Sequence, residues 1–142
     1  MRRQDWLLLV TSAAGERGLT PVQLQKMLFL LGRNFTRQVG SHFYKFVPYN
    51  YGPFCVEIYR DAETLQAKGF VDIRHEGRRW PEYHLTSAGQ RHTAQLKKKL
   101  AKNLADYIKE LVGWTQALNF PTLVRSIYQA YPEFRENSVF QG

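Results

Sequence analysis

Cysteine is almost missing from this sequence. Cys55 stands alone, so no internal disulfide staples the fold, and a reducing, cytoplasmic setting is the expectation. Long apolar runs are missing as well. The run WLLLV at positions 6–10 covers five residues, far short of a membrane span or a secretory h-region, so no membrane partner is expected. No Ser/Gly/Pro-rich stretch is long enough to act as a linker, which makes 142 residues one domain. H-E-x-x-H, G-x-S-x-G, a Walker-type loop and paired-cysteine metal spacing are all absent. Nothing in the sequence therefore calls for an enzyme, a metal or a cofactor.

Acidic residues are the other scarcity: 12 Asp and Glu stand against 20 Lys and Arg, for a net charge of +8. The excess is concentrated. Arg74, Arg78, Arg79, Arg91, Lys97, Lys98, Lys99 and Lys102 face only Glu76 and Glu82, so 29 residues hold +6 and the other 113 hold +2. A field made by one part of the chain suits a polyanion, and DNA is the expected partner. These eight residues, together with His75, are the candidate nucleic-acid-binding set. His75 would add charge as pH falls towards the ordinary histidine value of about 6.5.

Periodicity supplies the elements. Residues 5–14 read as a short buried helix stopped by Gly15 and Gly18. In TPVQLQKMLFLLGRNF, Thr20 is a helix cap, Pro21 fits the first turn and Gln23 closes a capping box. Leu24, Met27, Leu28, Leu31 and Phe35 then form one apolar stripe. Residues 43–49 read as an edge strand limited by Pro48, and NYGPF as a turn. A helix over 54–68 ends at Gly69. FVDIRHEGRRWPEYHL alternates as a two-stranded hairpin turning near HEGRR. Thr86 or Ser87, the latter with Gln90, caps a basic helix over 90–103, and a firmer apolar stripe follows over 104–112. A last helix over 122–130 is closed by Pro132.

This order is that of a mainly helical (α+β) winged-helix domain: a winged-helix-like core over 1–86, with a two-stranded wing, C-terminal helices over 87–131 and a tail over 132–142. YHLTSAG resembles the wing-to-helix junction of the PadR and MarR families of transcription regulators, where Leu85 would anchor the strand and Thr86 would cap the helix. LTPVQLQKMLFLL, YNYGPF and LQAKGFVDI together resemble the Panacea antitoxin domain. The matching positions are Leu24, Lys26, Met27, Leu28, Tyr51, Gly52, Pro53 and Gly69. That resemblance implies a fold, and with it a role in neutralising a toxin or in regulation.

Two functional expectations follow. In the first, the chain is a non-enzymatic DNA-binding regulator whose wing arginines enter a minor groove while the lysines sit on phosphates. Six such contacts would give a salt slope of about −5. The helix before the wing would normally read the major groove, yet it carries Glu57, Asp61 and Glu63 against Arg60 and Lys68, which counts against ordinary groove reading. In the second, the same fold docks on a toxin or another protein. Leu96, Leu100, Leu104, Tyr107 and Leu111 offer a homodimer seam through the C-terminal helices, though packing on the domain's own core is the simpler fate. Trp80 reads as a core residue of its strand rather than a stacking platform. Arg2, Arg3, Lys26, Arg33 and Arg37, spread over two helices, read as solvated surface.

Overall fold

The computed structural model describes residues 1–77 and 79–140. Helix α1 (Arg3–Ala13) buries every side chain from Trp6 to Ser12. A helix apolar on so many sides belongs at the centre of a domain, and the other elements surround it. Helices α2 (Pro21–Asn34), α4 (Val56–Ala67), α5 (Ser87–Lys97) and α6 (Lys102–Ala117) all pack on α1. Helix α2 begins as its sequence predicts: the Thr20 hydroxyl accepts from the Gln23 amide at 3.2 Å, and the Gln23 side chain accepts from the Thr20 amide at 3.0 Å.

Between α2 and α4 lie the short α3 (Thr36–Val39) and a hairpin of β1 (Val47–Tyr49) and β2 (Gly52–Phe54). The expected turn NYGPF is in fact half turn and half strand, with Pro48 opposite Pro53. Proline is tolerated because neither strand has a further neighbour that needs its missing N–H. Two side chains of α2 hold this hairpin. The Gln25 amide donates to the Cys55 carbonyl and accepts from the Cys55 amide, both at 2.9 Å. The Lys26 ammonium nitrogen donates to the Pro53 carbonyl at 3.1 Å. Gly52 has φ +102°, and a Cβ there would lie 3.4 Å from the Tyr128 ring and 3.6 Å from Lys26 Nζ. The positive φ is what favours glycine here, since those distances are ordinary van der Waals contacts.

The wing is the antiparallel pair β3 (Val71–Arg74) and β4 (Glu82–Leu85), in register from Val71↔Leu85 to Arg74↔Glu82. Leu19 exchanges two backbone hydrogen bonds with Tyr83, at 3.0 and 2.8 Å, and so adds a one-residue third strand. Periodicity has no signal for so short a strand. Helix, strand residue, helix, helix, hairpin is the winged-helix order, and the fold is winged-helix-like with added C-terminal helices.

Thr86 caps α5, accepting from the Gly89 amide at 2.9 Å. Ser87 and Gln90 make no capping box; the Gln90 carbonyl oxygen instead accepts from Ser12 at 3.1 Å. The basic helix expected over 90–103 breaks at residues 98–101, and α6 starts afresh at Lys102. No Gly or Pro marks this corner. The helices on either side of it both pack on α1. Leu96, Leu104 and Leu111 are buried, while Leu100 and Tyr107 pack half-buried on the same core. The line read as a dimer seam is therefore already covered by its own domain.

Helix α7 (Phe120–Ala130) is capped by Asn119, whose side chain accepts from the Thr122 amide at 2.9 Å. Beyond it, Phe134 is buried against Phe29 with ring centroids 4.9 Å apart. The Val139 amide then donates to the Asn50 carbonyl at 3.0 Å. Among the described residues no helix is long and apolar enough to cross a membrane.

Candidate nucleic-acid interface

The wing tip carries the first part of the predicted basic set. Arg74, His75 and Arg79 are all exposed; Arg78 lies outside the described residues. Arg74 is the least available of the three. Its guanidinium donates to Asp72 at 2.8 Å, which raises its pKa, and it stands opposite Glu82 in the register. Arg79 makes no ion pair among the described residues.

The second part lies elsewhere. Helix α5 starts at the base of the hairpin, where His92 stacks on Phe70 at 4.6 Å, while Arg74 and Arg79 belong to the opposite end. Arg91 and Lys97 are exposed on α5, and Lys98 and Lys99 occupy the corner before α6. Lys102 is exposed on the first turn of α6, where Asp106 accepts from it at 2.8 Å and raises its pKa. The structure thus divides the contiguous basic run into a wing-tip group and a corner group. Laid end to end, β4 and α5 span about 30 Å, within the ~34 Å of one duplex turn.

The acidic helix before the wing proves different from its composition. Asp61 of α4 is buried and turned inward, accepting from Arg3 Nε at 2.8 Å and from the Tyr44 hydroxyl at 2.7 Å. Burial opposes the Arg3 charge, but the Asp61 ion pair outweighs it and the Arg3 pKa is raised. Burial, reinforced by the Asp61 hydrogen bond, pushes the Tyr44 hydroxyl far above its usual range. Glu57 is held by Arg3 at 3.5 Å and by Arg60 at 2.8 Å. Of the three acids, only Glu63 stands exposed with no partner among the described residues. The objection that α4 would present a negative face to phosphates therefore loses most of its force.

Several single residues need correction. Lys26 is no solvated surface charge: it is buried at 3% exposure, and burial lowers its pKa to about 7. Arg3 belongs to the Asp61 pair, whereas Arg33 is exposed as expected while lying over the rings of Phe29, Tyr131 and Phe134 at 5.2–5.4 Å. Trp80 is not a core residue; it is 53% exposed and lies outside the paired strand. Pro81 ends the alternation one residue before β4 begins, so the tryptophan is carried by the loop. The histidines scatter: His75 is exposed, His84 is buried with Nε2 at 2.6 Å from Glu82, and His92 lies on Phe70. Cys55 is buried at the start of α4.

No protein-family model matches the chain, and no curated protein matches it. The reading of the interface rests on its geometry alone. One feature of this surface had no sequence signal. Trp80 and Arg79 line an apolar groove together with Tyr51 and Phe120, residues distant along the chain.

Proposed function

We propose that this chain is a non-enzymatic DNA-binding protein, a regulator of transcription that sets its wing tip and the outer face of α4 on a duplex. The supporting observation is the fate of the α4 acids. With Asp61 buried on Arg3 and Tyr44, and Glu57 held by Arg3 and Arg60, the exposed face left to DNA carries Thr64, Lys68 and the Glu57-paired Arg60 beside Glu63. The wing adds Arg79, a guanidinium suited to a narrow minor groove. Lys97, Lys98 and Lys99 serve as phosphate contacts that position without specifying.

Fluorescence anisotropy with a random-sequence duplex tests this. The expected result is micromolar binding at low salt that weakens by about 0.9 log units per phosphate contact for each tenfold rise in salt. Arg79→Ala should remove roughly one contact from that slope. A Lys97→Ala, Lys98→Ala, Lys99→Ala triple should reduce it independently, because β4 and the length of α5 separate the two groups along the chain. Absence of binding at low salt, or a slope indifferent to both sets of changes, would remove DNA from the account.

A further inference from the structure

The groove beside the wing has a volume of about 760 Å³, within the range of binding clefts. Val22, Leu118 and Leu123 contribute its apolar lining. Tyr51 and Phe120, also in the lining, meet edge to face at 5.1 Å and remain 42% and 41% exposed. Trp80 lines it as well. Large aromatic side chains left open to water in an apolar lining mark an interaction surface, and Trp, Tyr and Arg are the residue types that dominate such interfaces.

The charge of the lining selects the occupant. Among the described residues Arg79 is the single ionised side chain that lines it, and no described carboxylate does. A nucleic-acid strand needs a row of cations along its phosphates, so one guanidinium in an apolar trench is a poor match. A second copy of this chain is no better, since it brings a like net charge of +8. The shape argues for a length of chain. The groove shares Thr20 and Gln23 with a neighbouring polar hollow of about 370 Å³ that is lined by Glu16, Arg17, Glu82 and Gln116. An apolar seat that continues into a polar trough fits a segment with apolar anchors followed by hydrogen-bonding backbone.

We infer that the groove between Trp80 and Phe120 docks a segment of a partner protein that presents two bulky apolar side chains and a carboxylate to Arg79. This stands on the groove and does not depend on DNA binding.

The test uses the full chain and a display library of short random peptides, counter-selected on a Trp80→Ala, Phe120→Ser double variant. Both residues are exposed, and unchanged circular dichroism and melting would show that the variant folds. Enriched peptides should share two bulky apolar residues and an Asp or Glu, bind at micromolar concentration, and lose about tenfold or more in affinity to Trp80→Ala and to Arg79→Glu. Replacing the peptide's acid by Lys should restore binding to Arg79→Glu. Enrichment that is equal on the double variant would overturn the inference, as would acid-free peptides indifferent to Arg79→Glu. So would self-association of the chain abolished by Trp80→Ala, which would make the occupant a second copy. Oligothymidine binding lost in Trp80→Ala, with no peptide selected, would assign the groove to nucleic acid instead.

Discussion

Gly89→Ala should destabilise the chain by about 3 kcal/mol, at the upper end for an overpacked site, while Gly113→Ala should stabilise it by about 0.5–1 kcal/mol. Both glycines lie in helices, α5 and α6, so propensity alone predicts a gain at each. Space separates them. A Cβ on Gly89 would lie 2.0 Å from the Phe70 carbonyl oxygen, whereas one on Gly113 meets nothing within 4 Å. The Phe70 carbonyl cannot simply retreat, because it accepts the Thr86 amide at 3.0 Å. The Thr86 hydroxyl in turn donates to the Gly69 carbonyl and accepts from Gly89. Relief of the clash must lift the first turn of α5 off the hairpin base. Urea denaturation of the two variants checks both signs, and a Gly89→Ala chain as stable as the parent would show that this junction yields.

That junction also shows how far the sequence could be read. In YHLTSAG the Thr was legible as a cap because a hydroxyl before a helix has a local job. The Gly was not, since its contact is with Phe70, nineteen residues earlier in the chain. The same division runs through the molecule. Thr20, Pro21 and Gln23 announce the start of α2 from four consecutive positions. The Leu19–Tyr83 bridge and the corner at 98–101 depend on what packs across them and leave no periodic trace. Within the candidate interface the described basic residues are exposed, because ionised side chains avoid burial without a partner. Their division into two groups was hidden, as was the inward turn of Asp61, because Arg3 and Tyr44 approach it from separate elements. Trp80 misled for a related reason. Its strand-like neighbours implied a buried face, but Pro81 ends the alternation before pairing begins.

Lys26 carries the other large expectation, a folding stability that climbs with pH where most proteins are level. The amine is buried against the Pro53 carbonyl, and no carboxylate among the described residues pairs with it. Burial lowers its pKa from 10.5 to about 7. Between those two values the unfolded chain holds a proton that the folded chain has released, so raising the pH favours folding. The penalty is complete below pH 7 and relieved as the pH approaches the unfolded value. At 1.36 kcal/mol per pH unit, the gain from pH 7 to pH 9 is about 2 kcal/mol. The window closes near pH 10, where Tyr59 and Tyr83, whose pKa values burial raises, begin to oppose folding. Lys26→Met keeps the length of the side chain and removes the charge. It should flatten the profile between pH 7 and 9, with its largest stability advantage over the parent at the acidic end, reduced by about 1 kcal/mol for the lost bond to Pro53. A parent profile that is already level across this window would mean that Lys26 stays charged in the folded chain and reaches water. The hairpin that it grips would then have to open far more readily than its packing on Gly52 implies.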